Sequence, residues 1–389
     1  MINTKRDIES KRKANNIYQL PKMLVSAIPT NLQCPRTQPA RIPKPDFEPP
    51  YPCHAVLFPQ DVSQLVIAII GAQHKPSSDP TATEASRSTI STFLSNPTAS
   101  TPPSFFEWAS VTDNKDFLNF TALAYWPSKS AYETWTAESG FQTWWTSLDP
   151  STSPNGWFLE VFLPTTDRFE TMFNTPTHAE GSAHMRESMS DPIREHGYWG
   201  SMRDRLPLSQ TDPLTGTPDA RPSTTTTAPI SNNPSSSNKR IIIPGKKNLT
   251  IIRSGQDWHD TTPKERDLYL STMHPVLTRG MDFLRDNGSE VGCYSCRLMD
   301  IVDAKTGSSE RIDRTFGLAY FDELASLERW SREHPTHLAI FGGFMQYART
   351  LGDEVTLKVF HEVMVLREDQ QFFEYVGCHG GTGMLAAGW

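Results

Sequence analysis

The chain repeats itself weakly, and that repeat constrains its fold more than any other feature. Leu123-Ala124-Tyr125-Trp126 returns as Leu318-Ala319-Tyr320-Phe321, and at the same offset Tyr132, Glu133 and Trp135 return as Leu327, Glu328 and Trp330. A second echo sets Phe158-Leu159-Glu160-Val161 against Phe360-His361-Glu362-Val363. Two copies of one supersecondary unit can bury their sheets against each other, which gives one shared core. The copies differ at two positions. Where the second has His337 and His361, the first has Gln142 and Leu159. One half reads as scaffold, the other as the same scaffold with two imidazoles added, and packing alone does not explain that difference.

The second copy spells out the unit. Residues 249–253 read as a strand. A helix follows, with Thr262 as N-cap, Pro263 in its first turn and Glu265 completing a capping box; Pro275 inside its apolar stripe predicts a kink or a split. Strands come next at 292–302 and 311–321. A helix from about 323 is ended by Pro335, a short helix covers 336–348, and a last strand covers 355–366. The first copy reads more loosely: a strand at 54–58, an apolar helix at 62–73, strands at 105–111 and 119–126, helices within 128–148, and a strand at 157–163. The order βαββαβ is that of ferredoxin-like units. The expected fold class is α+β: two ferredoxin-like repeats packed face to face as an eight-stranded, dimeric α+β barrel within one chain, helices outside. The Ser/Thr/Pro-rich segments 75–103 and 211–238 read as loops or disorder, since they cannot bury enough apolar surface to order themselves. The expected division is an N-terminal extension at 1–50, a first repeat at 51–208, a linker at 209–247 and a second repeat at 248–389.

Composition narrows the partners. A net charge of −7 leaves no basic footprint for nucleic acid. No run of about 18 apolar residues is present, so no membrane span is expected. The first residues, with the basic run Lys11-Arg12-Lys13, lack the apolar centre of a secretory signal. Five cysteines are too few and too odd for a disulfide framework and point to a reducing, cytoplasmic setting. Ten tryptophans and twenty phenylalanines suffice to line a large apolar cavity as well as a core.

The two histidines sit in distinct patterns. Period-two alternation puts His361 on one strand face with Val359, Val363 and Val365. Two readings fit it: a core histidine bonded to a backbone carbonyl, or an acid–base group facing a site. His337 opens the short helix and shares a face with Phe341, Phe344 and Ala348. It reads either as a satisfied histidine on a core helix or as a proximal haem ligand on an aromatic face, with Gly342-Gly343 letting a macrocycle approach. His334 and His337 spell HxxH, but Pro335 stands between them and no carboxylate completes a zinc set. Cys293 and Cys296 spell CxxC without the histidine of covalent haem attachment. The segment from His196 to Arg205, and Arg253-Ser254-Gly255 at a strand end, are polar where the frame predicts order. An arginine and a serine hydroxyl there can converge on a cavity.

Together these segments resemble the haem-dependent aldoxime dehydratases. The matching stretches are Cys34-Pro35-Arg36-Thr37, 196–212, 252–258, Gly280-Met281-Asp282, His334-Pro335-Thr336-His337-Leu338, His361-Glu362-Val363 and Thr382-Gly383-Met384-Leu385. The resemblance implies a dimeric α+β barrel holding a non-covalent haem b, ferrous in the active state, an aldoxime substrate, a homodimer and nitrile formation. It implies His337 as the axial ligand of the iron and His361 as the distal acid–base histidine. Arg203 and Ser254 would hold the substrate hydroxyl, and Glu170 would be an acidic helper. The insertion after Asp212, the extra residues between His337 and His361, and Cys296 depart from the family pattern. A peroxidase-type haem enzyme or a haem-binding sensor on the same barrel are the rival readings.

Overall fold

The strands and helices of the second copy fall close to their expected places; the first copy reassigns two of its segments. The protein is described by a computed structural model covering residues 23–76, 78–217, 238–303 and 311–387. After β1 (Val56–Leu57) comes β2 (Val66–His74), a strand of nine buried residues where a helix was expected. A short apolar run buried on both faces carries no period that separates helix from strand. Its β-branched Val66, Ile67, Ile69 and Ile70 favour the extended form. The missing helix lies next in the chain, as α1 (Pro80–Leu94), inside the segment expected to be a loop. Asp79 caps it by accepting from the Thr81 N–H at 2.8 Å, and Ile90 and Leu94 bury against the sheet. Two apolar anchors and a cap outweigh a polar composition.

The chain continues through β3 (Phe105–Thr112), β4 (Leu118–Trp126), α2 (Lys129–Glu138), α3 (Phe141–Ser147) and β5 (Gly156–Phe162). Three short elements follow before the second copy: β6 (Phe169–Phe173), β7 (Ser188–Met189) and α4 (Ser201–Arg205). Then come β8 (Arg240–Ile243), β9 (Leu249–Asp257) and α5 (Pro263–Leu268). A π-helical turn, Tyr269–Met273, separates α5 from α6 (His274–Asn287). The expected split therefore falls just ahead of Pro275, which occupies the first turn of α6, where its missing N–H costs least. Thr262 caps α5 as expected, but Glu265 closes no capping box. Its carboxylate turns away to accept from the Thr356 and Leu357 N–H groups, each at 2.9 Å, and from the Tyr347 hydroxyl at 2.7 Å. The last elements are β10 (Cys293–Val302), β11 (Arg311–Phe321), α7 (Leu324–Glu333), α8 (Pro335–Leu351), β12 (Lys358–Leu366) and β13 (Gln371–Val376).

Among the described residues eleven strands, rather than the eight expected, form one antiparallel sheet in the order β6-β12-β9-β11-β10-β3-β4-β2-β5-β13-β8. The two copies meet at the β10–β3 pair, and β12-β9-β11-β10 mirrors β5-β2-β4-β3. The added strands β6, β13 and β8 lie outside the repeat echo, where no internal comparison could reveal them. The sheet curls so that its inner face buries Ile67, Ile69, Tyr125 and Phe158 of one half with Ile251, Phe316, Leu318, Tyr320 and Met364 of the other. Alternate residues turn outward. In the first half Val66, Ala68 and Ile70 meet Trp135 and Trp145; in the second Ala319, Phe321, Val363 and Val365 meet Leu277, Met281 and Trp330. Each large buried side chain is worth about 1.5–3 kcal/mol, so the sheet is held from both sides.

The inner face also carries charge. The Arg253 guanidinium pairs with Glu107 and lies 3.3 Å from Glu362, which accepts from the Tyr125 hydroxyl at 2.9 Å and the Ser182 N–H at 2.7 Å. All five cysteines are free thiols. No helix among the described residues is long and apolar enough to cross a membrane. Most of the segment 211–238 and all of residues 1–22 lie outside the described residues.

Candidate active site

β12 runs between β9 and β6, and its register decides what surrounds His361. His361 pairs with Ser254 on β9 and Met172 on β6. Residues opposite one another on antiparallel strands share a face and stand close together. Ser254 therefore comes beside His361 by strand pairing alone, and its hydroxyl makes no hydrogen bond with the described residues. Ser254 in turn faces Gly317 on β11, where a Cβ would sit 2.8 Å from the Met281 sulfur. Behind Ser254, Gly255 lies against the Phe360 ring, which a Cβ would enter at 2.1 Å. The site thus rests on a rigid four-strand floor.

Glu170 stands on β6 opposite Val363, on the same face and one strand over from His361. Its Oε1 lies 3.0 Å from His361 Nε2. Arg205, the last residue of α4, grips the same carboxylate in a fork: Nε donates to Oε2 at 2.7 Å and Nη2 to Oε1 at 3.0 Å. Nη2 also lies 2.8 Å from His361 Nε2, and Nη1 donates to the Glu195 carbonyl at 2.7 Å. Glu170 and Arg205 are almost wholly buried. Burial alone would raise the Glu170 pKa, but the Arg205 charge and then the His361 ring outweigh it and hold the carboxyl down at about 2.

Arg203 does not join this group. Its guanidinium turns to Glu328 on α7, with Nη2 2.7 Å from Oε2. Residues two apart on a helical turn project in different directions, so Arg203 and Arg205 cannot both face His361. Nothing in the local sequence ranks one arginine over the other. The signal that selects Arg205 is a buried Glu170 in need of a cation, visible only once β6 and α4 meet.

His337 lies in the first turn of α8. The helix starts where expected because His334 caps it, with Nδ1 2.8 Å from the Thr336 hydroxyl and its ring stacked on Phe283 at 4.0 Å. Burial pushes the His337 pKa down to about 4, against an opposing backbone contact at Ser331. The ring is therefore neutral at pH 7 and able to bind a metal. Its Nδ1 is buried and meets no partner in full hydrogen-bonding geometry, which leaves Nε2 as the nitrogen open to a ligand. The rings of Trp330 and Trp199 lie 4.8 Å and 6.1 Å away, and Trp199 packs on Phe341 at 5.3 Å. Trp199 and Leu338 are each 41% exposed. A half-open aromatic surface around a neutral histidine fits a flat apolar macrocycle with an axial imidazole. At the glycine pair, a Cβ on Gly343 would lie 3.2 Å from the Met273 sulfur, and one on Gly342 would meet nothing within 4 Å.

A third cluster, His178, Glu180 and Asp257, has the spacing of a cation site. Arg314 pairs with Glu180, and Lys358 lies 3.7 Å from Asp257, so its negative charge is already matched by protein.

Residues 68–384 match the family described as haem-containing dehydratase. Aliphatic aldoxime dehydratase of Pseudomonas chlororaphis is 37% identical over 92% of this chain and 97% of its own length. Phenylacetaldoxime dehydratase of Bacillus sp. (strain OxB-1) is 31% identical over 84% of this chain and 89% of its own. A crystal structure of aldoxime dehydratase in complex with butyraldoxime superposes with a TM-score of 0.82 at 35% identity, covering 93% of this chain and 96% of that one. Sequence and fold agree over nearly the whole length, and the chain belongs to the haem-containing dehydratase family.

Proposed function

We propose that this chain is an aldoxime dehydratase in which His337 holds the haem iron and His361 moves the protons of the reaction. The observation that carries the reading is the convergence of Glu170 and Arg205 on His361 Nε2, with the Ser254 hydroxyl beside the ring. Relatives that act on aliphatic aldoximes and on phenylacetaldoxime support it.

An aldoxime, R–CH=N–OH, becomes a nitrile by losing hydroxyl from nitrogen and a proton from carbon. When bound, ferrous haem supplies a site for the oxime nitrogen and electron density that weakens the N–O bond. His361 donates a proton to the departing hydroxyl, which leaves as water. The Glu170 carboxylate, ionised at pH 7 and 3.0 Å from Nε2, supports the charged form of the ring. Neutral His361 then takes the C–H proton, and the nitrile forms. Ser254 holds the substrate oxygen, and Arg205 keeps Glu170 and the ring in place while its charge favours the departing oxygen.

The finer architecture belongs to the same proposal. The matched strand orders β12-β9-β11-β10 and β5-β2-β4-β3 support two ferredoxin-like halves at 51–208 and 248–389, preceded by the extension 1–50 and joined by the linker 209–247. The protein acts as a homodimer in the cytoplasm, a setting its free thiols favour.

The test is an absorption spectrum of the purified protein before and after dithionite, with phenylacetaldoxime then added without oxygen. A Soret band that moves on reduction and again with the oxime, with nitrile appearing, is the expected result. A protein that stays colourless after reconstitution with haem refutes it.

A further inference from the structure

The chain ahead of the first strand has no part in the chemistry above, yet it binds the segment that bears Arg205. The Arg41 N–H donates to both Asp204 carboxylate oxygens, at 2.8 and 3.0 Å. The Thr37 and Gln38 N–H groups donate to the Gln210 carbonyl at 2.8 and 3.0 Å. The Gln210 side chain reciprocates, accepting from the Cys34 N–H at 3.0 Å and donating to the Leu32 carbonyl at 2.9 Å. Further back, the Ala27 N–H donates to the Glu195 carboxylate at 2.8 Å, and the Glu195 carbonyl is the group that takes Arg205 Nη1. Asp204 and Gln210 are 1% and 4% exposed, so these bonds replace water that cannot reach them.

The contact is built in at backbone level as well. Gly200, at φ +98°, would put a Cβ 2.7 Å from the Arg41 Cβ, and Gly197, at φ +75°, would put one 2.6 Å from the Pro50 ring. Glycine is required at both positions by conformation and by close approach. Meanwhile α4 has five residues, too few to hold its own shape. The direction of the Arg205 side chain is therefore set from outside the helix.

We propose that residues 25–41 act as a strap that fixes Arg205 against Glu170 and His361, with Asp204 and Gln210 as its positioning residues. The proposal rests on the reading of Arg205 given above. It assigns the N-terminal extension a part in turnover rather than in haem capture, because every bond it makes here lands on the Arg205 side of the site.

The experiment uses the full-length, haem-loaded chain with Asp204→Asn, Gln210→Ala and Arg41→Pro. The last removes one donor from the strap and leaves α4 untouched. Each variant is expected to lower kcat by roughly 10- to 100-fold, the range that small misplacements of a reacting group cost, with KM and the ferrous Soret position unchanged. Placed on top of Arg205→Lys, the same changes are expected to cost nothing further, since residues that act through one another do not add. Wild-type kcat in all three variants overturns the proposal. So does an equal loss with and without Arg205→Lys, or a loss that follows haem content. Full kcat in Arg205→Ala, by contrast, removes the reading of Arg205 itself.

Discussion

Replacing Glu170 by glutamine separates the charge of the Glu170–Arg205 pair from its shape. The carboxyl is depressed from an ordinary 4.5 to about 2 in a buried site. At 1.36 kcal/mol per unit, the ionised form is worth about 3 kcal/mol to the fold. A depressed carboxyl stabilises fully above its unfolded pKa and loses that contribution as pH falls through the folded one. The advantage of wild type over Glu170→Gln is therefore about 3 kcal/mol at pH 7 and shrinks to about 1 kcal/mol at pH 3. Urea unfolding followed by tryptophan fluorescence at the two pH values measures it. Much of this loss is the buried Arg205 charge left without its counter-ion, which the depressed carboxyl already counts. Turnover should fall about 10- to 100-fold as the His361 ring loses its anchor. An advantage that is the same at pH 7 and pH 3 would refute the electrostatic account, whatever the activity.

Other outcomes are expected on the same grounds. His361→Ala should keep its ferrous Soret band and lose turnover, while His337→Ala should lose haem from the purified protein; pigment content and nitrile assays tell the two apart. Arg205→Ala should cost kcat at least 100-fold, a rise of about 2.7 kcal/mol in the barrier. Arg203→Ala should act mainly on melting temperature, by breaking its pair with Glu328. Gly255→Ala drives a methyl into the Phe360 ring, at 2.1 Å, and should destabilise by about 1–3 kcal/mol in a denaturant titration; wild-type stability would mean that β9 and β12 are not packed as described.

Strand alternation already puts His361 on one face with Val359, Val363 and Val365, though not which side of the sheet that face takes, and the position of His337 behind Pro335 follows from helix punctuation. These are local properties, carried by period and by capping chemistry, so a single sequence displays them. The apolar run at 66–74 shows the limit of periodicity: buried on both faces, it loses the alternation that marks a strand, and the helix displaced from it hides in a polar segment. Ser254 takes its role only from the family resemblance, and its place beside His361 is set by the β9–β12 register; the choice between Arg203 and Arg205 is likewise tertiary. That choice depends on which side of a five-residue helix meets β6, and on an N-terminal strap that grips the residues around it. Contacts between segments far apart in the chain leave no period in either one, so the sequence determined which groups could do the chemistry. Only the tertiary structure decided which arginine faces the histidine, because a buried carboxylate and a strap of backbone N–H groups turn it there.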